Sequence, residues 1–206
     1  MKVIDNICDN ITNYLAKELN LNKEKSEVIK YGMFSISQMV INIISIIIFG
    51  IIFNVVTEAL IISFAISILR KSSGGVHASS PEKCLIIGTG FSIFIALILK
   101  RININFTYTC FLIIIIFLWA YYFIYKLAPV DSENKPIKSM KKKLRLKKSS
   151  ITILSIYLLI IIFCLMVFIF TKKTEALRYI LCICSGVVWQ VFSLTKAGHI
   201  IFNIFN

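Results

Sequence analysis

The stretch MVINIISIIIFGIIF (39–53) contains no charged residue and shows no polar face at helical spacing. CFLIIIIFLWAYYFIY (110–125) has the same character. A soluble helix of such length keeps one side wet. An uncharged apolar run of roughly 20 residues instead matches the ~30 Å hydrocarbon layer of a bilayer. Outward from these two runs, six apolar segments follow in order, at about 31–53, 55–69, 84–99, 106–125, 151–170 and 179–194. The sequence therefore predicts an all-α, polytopic integral membrane protein of about six transmembrane helices.

Composition agrees. The chain has 206 residues, of which 58% are hydrophobic and 16% charged, with a mean hydropathy of +0.84. A soluble domain is about half apolar and about a quarter charged. The expected organisation is a single membrane domain, 1–206: an N-terminal cytoplasmic amphipathic region over 1–30, then a helix bundle over 31–206 with cytoplasmic loops at 70–84 and 126–150.

The first thirty residues lack the apolar core and small-residue cleavage site of a secretory signal. In MKVIDNICDNITNYLAKEL (1–19), Ile4, Ile7, Cys8, Ile11, Tyr14, Leu15 and Leu19 recur at helical spacing, with charges mostly between them. That pattern is an amphipathic helix, lying on the membrane surface or packed against the bundle. The tail TKAGHIIFNIFN (195–206) is amphipathic too, and either extends the last span or lies on the surface.

The formal net charge is +13. A nucleic-acid partner would need Lys and Arg spread over a soluble face, whereas here they sit beside apolar spans. With the N-terminus inside, the four inner regions hold 5, 3, 9 and 1 basic residues and the two outer ones 2 and 3. The positive-inside rule then places the N-terminus and the 70–84 loop in the cytoplasm of a multi-pass cell-membrane protein. Anionic membrane lipids are a natural second partner for the excess charge.

Chemistry concentrates in one loop, RKSSGGVHASSPEKC (70–84). Ser80 before Pro81 reads as a helix N-cap followed by proline at the first helical position. Cys84 then falls in the first turn of the third span. Free N–H groups and the positive end of the helix dipole favour a thiolate there, and the thiolate is the nucleophile. Four of the six cysteines lie inside apolar runs, whereas Cys84 stands beside the polar and charged residues of this loop.

Were 77–84 one continuous helix, His77 and Cys84 would stand two turns apart, about 10 Å along the axis. Pro81 and the Gly74-Gly75 pair argue against a continuous helix, and a chain that folds back can bring imidazole to thiol. Gly74 and Gly75 permit positive φ, allow a second chain close by, and offer N–H groups to an oxyanion. The bland alternative is a headgroup-level histidine and a small interfacial cysteine. The two spans flanking this loop are short, about 24 Å for sixteen residues, which would draw the loop partly into the membrane or thin the bilayer locally. Nothing in the spacing of Cys and His suggests a metal site or a disulfide framework, and no cofactor is indicated.

GGVHASSPEKC (74–84) resembles the GGxHAx5C signature of the accessory gene regulator B (AgrB) family of membrane cysteine peptidases. LAPVDSENKPI (127–137) resembles a second stretch typical of that family. The resemblance implies an endopeptidase that cleaves an AgrD-like propeptide. His77 would be the base and Cys84 the nucleophile, and a Cys84 thioester would hand its acyl group to an internal propeptide cysteine. The product would be the thiolactone of a quorum-sensing autoinducing peptide.

The resemblance also admits a homodimer. It leaves open which group orients His77; Asp131 and Glu133 are candidates, and turn roles suit them equally well. Arg70 matches a basic residue that opens the family loop, where it would hold a substrate carboxylate or mark the membrane boundary. Lys141, Lys142 and Lys143 would steer an acidic substrate tail or simply anchor the topology. The rival class is a membrane peptide exporter or transporter without proteolysis. It would call for ionisable residues within the spans, where Glu58 stands nearly alone.

Overall fold

A computed structural model describes residues 2–19, 22–76, 80–130 and 139–204. These residues form helices α1 (Lys2–Glu18), α2 (Lys23–Phe53), α3 (Val56–Ser73), α4 (Pro81–Arg101), α5 (Phe106–Leu127), α6 (Met140–Thr171), α7 (Thr174–Phe192) and α8 (Lys196–Ile204). Five of them are long and apolar enough to cross a membrane, over 25–53, 82–101, 106–127, 140–171 and 174–192. The remaining expected segment is α3, 18 residues long and carrying Glu58, Arg70 and Lys71. The protein is thus an all-α, multi-span membrane protein.

Each connection is set by a few residues. Asn54 takes the left-handed conformation (φ 55°) that ends α2, and its N–H reaches back to Gly50 and Ile51. Gly50 is required there, because a Cβ would come within 2.9 Å of Val56 Cα. At the same end of the bundle Lys100 donates to the Asn54 carbonyl oxygen, and Asn105 caps α5 by accepting from Thr107 N–H at 2.9 Å.

α3 is the hub, packed against α2, α4, α6 and α7. Its closest partner is α7. A Cβ on Gly186 would lie 2.7 Å from Ala65 Cβ and 2.9 Å from Ile62 O, so only glycine lets these two backbones approach so far. Tyr157 on α6 donates to Ala65 O at 2.9 Å. On the other side, Asn42 of α2 donates to Ser63 Oγ at 3.2 Å and accepts from Thr89 Oγ1 of α4 at 3.1 Å. Inside an apolar layer such bonds replace water for groups that would otherwise be unsatisfied. Glu58 and Arg178 pair across α3 and α7 at 3.2 Å.

Helix boundaries differ from the sequence expectation in two places near the loops. α3 runs on through Arg70–Ser73, so the first four residues of the expected 70–84 loop are helical. The basic run of the 126–150 connection is also helical, forming the first turns of α6. At 32 residues α6 is about 48 Å long, well beyond the hydrocarbon thickness, so a basic rod projects from the bundle end that carries Gly74. Lys147 of this rod lies over the Tyr125 ring at 4.0 Å. The N-terminal α1 rests on α2 through an Asp9–Lys30 ion pair and a Thr12 Oγ1–Met33 Sδ contact of 3.8 Å, with Tyr14 and Leu19 exposed.

Candidate active site

Of the residues that the sequence singles out, Arg70, Gly74 and Gly75 lie on or beside the short arm Gly74–Gly75–Val76 that leaves α3. Four groups hold this arm, three of them distant in sequence. Gly74 forms a parallel bridge with Val130, and Val130 N–H donates to Ser73 O at 2.9 Å. Gln190 Nε2 of α7 donates to Gly74 O at 2.7 Å and to Ser73 Oγ at 3.0 Å. Val76 N–H donates to Ser193 O at 3.3 Å. Arg70, one helical turn back on α3, donates through Nη2 to Val76 O.

Both glycines are needed for this path. Gly74 sits at φ 69°, ψ −148° and Gly75 at φ 127°, regions that residues with a Cβ rarely enter. A Cβ on Gly74 would overlap the Val130 carbonyl oxygen, and one on Gly75 would stand 2.6 Å from Ser193 Oγ. Gly74 N–H already caps α3 by donating to Arg70 O at 3.0 Å. Of the two N–H groups suggested for an oxyanion, that one is therefore taken.

Cys84 lies where the sequence placed it. Ser80 caps α4, accepting from Lys83 N–H at 3.2 Å, and Pro81 opens the helix. Cys84 N–H closes the first turn onto Ser80 O at 3.1 Å, and the residue is half-buried with a free thiol. Its sulfur is within electrostatic range of Arg70. Burial lowers the guanidinium below its ordinary value, and attraction to the Cys84 sulfur works against that fall. Arg70 Nε is buried without a hydrogen-bond partner among the described residues. Two chain segments fourteen residues apart thus place a half-buried cation in the electrostatic neighbourhood of a helix-tip thiol.

Lys141, Lys142 and Lys143 are exposed on the projecting rod of α6. The rod joins the arm's root through Ser149, whose Oγ lies 3.0 Å from Ser72 Oγ. The three lysines then stand about 9–12 Å farther along the α6 axis. His77, Asp131 and Glu133 lie outside the described residues.

Sequence reasoning missed Ser73, Val130, Gln190 and Ser193. A signal existed for Gln190: it is a lone amide in the apolar run GVVWQVF (186–192), and a polar group inside a span is costly enough to invite a functional question. The contacts of Val130 and Ser193 are backbone contacts and left no mark on residue type.

The sequence model of the family described as "Accessory gene regulator B" matches residues 8–194. Two AgrB-like proteins of Clostridium perfringens, from strain 13 and strain SM101, are each 41% identical to this chain over 202 residues. Those alignments cover 97% of this chain and 94% of each relative. An accessory gene regulator protein B of Staphylococcus aureus (strain JH9) is 29% identical over 167 residues, 81% of this chain and 85% of its own. No solved structure matches the chain.

Proposed function

The chain belongs to the accessory gene regulator B family, and from that premise we propose that it is a membrane-embedded cysteine endopeptidase maturing an AgrD-like propeptide. The observation that carries this reading is the placement of Cys84 at the capped tip of α4, with the half-buried Arg70 guanidinium in its electrostatic neighbourhood. A sulfur anion there is attracted by the guanidinium and by the helix dipole.

The chemistry runs in two acyl transfers. His77 takes the Cys84 proton, and the thiolate attacks the scissile carbonyl carbon. The C–N bond breaks, the amine leaves with the proton from His77, and a Cys84 thioester remains. An internal propeptide cysteine, as its thiolate, then attacks that thioester. A new C–S bond forms, the bond to Cys84 breaks, and the thiolactone departs. Exchanging one thioester for another is nearly balanced, whereas making a thiolactone directly from a peptide bond is uphill. Exclusion of water protects the acyl-enzyme from hydrolysis in the meantime.

Gly75 N–H serves the oxyanion in this scheme, since Gly74 N–H is occupied. Asp131 or Glu133 orients His77. Arg70 serves the thiolate or a substrate carboxylate, and the Lys141–Lys143 rod gathers the acidic tail. α3 acts as a sixth pass, α1 lies at the membrane interface against anionic lipid, and the arm faces the cytoplasm. The working form is a homodimer.

The decisive test is mass spectrometry of the reconstituted protein incubated with its propeptide. A propeptide-derived acyl adduct on Cys84 is expected, with cleavage lost in Cys84→Ser and in His77→Ala at unchanged insertion. Continued cleavage in either variant refutes the assignment.

A further inference from the structure

Gln190 is fully buried near the last turn of α7, in a span that is otherwise almost wholly apolar at this depth. Both of its amide hydrogens are used, one on Gly74 O and one on Ser73 Oγ. Its Oε1 is buried with no hydrogen-bond partner among the described residues. A buried, unpaired amide oxygen is destabilising, and a leucine in its place would avoid that cost. What the amide supplies in exchange is its donor pair, which ends on the arm's first carbonyl. That arm leads, one residue beyond Val76, into His77.

We propose that Gln190 is a positioning residue for the acyl transfer, a two-pronged donor that seats the Gly74–Val76 arm on α7 and thereby sets the direction in which the chain enters the His77–Cys84 segment. The proposal rests on the reading of Cys84 and His77 given above. Gly75 fits it: a Cβ there would lie 3.4 Å from Gln190 Nε2 and closer still to Ser193 Oγ, so the seat accepts only the bare backbone. Ser193 adds its carbonyl to the same seat, and its hydroxyl donates to Gln190 O at 2.7 Å.

The test uses the full chain in phosphatidylcholine–phosphatidylglycerol liposomes, comparing the parent with Gln190→Met, which keeps the volume and removes both donors. Two measurements are made. In the first, a Val76→Cys/Ser193→Cys pair reports the arm's seat by oxidative cross-linking, independently of any chemistry at Cys84. In the second, iodoacetamide labelling at neutral pH, read by mass spectrometry, reports Cys84 reactivity, with His77→Ala as the reference.

Cross-linking and Cys84 labelling should both fall roughly tenfold or more in Gln190→Met, within the range a mispositioned general base costs. Cys182 and Cys184, buried on the same helix, should stay unlabelled. Undiminished cross-linking overturns the proposal. So does undiminished Cys84 labelling while His77→Ala slows it, and so does exposure of Cys182 and Cys184, which would make Gln190 a packing residue. If His77→Ala itself labels at the parent rate, the base assignment fails, and the cross-link alone decides the role of Gln190.

Discussion

Replacing Gly74 by alanine adds a single methyl group, and its consequences follow from the geometry of the arm. At φ 69°, ψ −148° a residue with a Cβ bears roughly 1–3 kcal/mol of backbone strain. The same methyl would overlap the Val130 carbonyl oxygen, so Val130 must retreat and its N–H bond to Ser73 O is lost, a further ~1 kcal/mol. The total is at least about 2 kcal/mol against the seated arm. At 1.36 kcal/mol per factor of ten, this lowers the seated population and the cleavage rate by roughly thirtyfold or more.

The bundle itself should survive, because the strain is local to a segment outside the spans. Gly90→Ala is the matched control. A Cβ at Gly90 meets nothing within 4 Å, and alanine favours helix by up to about 1 kcal/mol. Cleavage of the propeptide in liposomes, normalised to inserted protein, compares the two. Near-parental cleavage by Gly74→Ala would refute the claim that the arm's seat governs the chemistry. An equal loss in Gly90→Ala would show that any glycine substitution perturbs the fold.

Three further outcomes follow from the packing. Gly186→Val drives a side chain into Ala65 and the Ile62 carbonyl and should cost about 1–3 kcal/mol, seen as a lower Tm in detergent; an unchanged Tm would mean that α3 and α7 are not in such close contact. Glu58→Met strands the half-buried Arg178, whose Nε already lacks a partner, and should destabilise by about 2 kcal/mol, with the Glu58→Met/Arg178→Met double variant regaining most of it; equal Tm values for the single and double variants would contradict the pairing. Converting Lys141, Lys142 and Lys143 together to glutamate should raise KM for an acidic-tailed propeptide with little change in kcat, and the difference should shrink at high salt. A KM insensitive to these charges at low ionic strength removes the rod from substrate capture.

Much of the architecture is legible in residue patterns because lipid imposes a simple rule: a span must be apolar and long enough. The start of α4 is equally readable, since Ser80-Pro81 is a local capping signal that needs no tertiary partner. Polarity misleads at the ends of α3 and α6. Arg70–Ser73 and Met140–Ser149 look like loop because they are polar, yet Lys, Arg, Leu and Met are good helix formers, and a helix does not stop where the lipid does. The arm's seat is the least legible part. Gly74-Gly75 announces an unusual backbone, but its partners Val130, Gln190 and Ser193 lie 55 or more residues away in sequence. Two of them hydrogen-bond it only through main-chain atoms.

That spread along the chain bears on biogenesis. The seat needs Val130 and the Gln190–Ser193 turn at the end of the last long helix. While α7 is still in the ribosome or the translocon, the arm has no resting place, however completely α3 and α4 are inserted. The arm of a nascent chain is therefore unseated until synthesis is nearly finished, and a copy stalled or truncated before Gln190 never seats it.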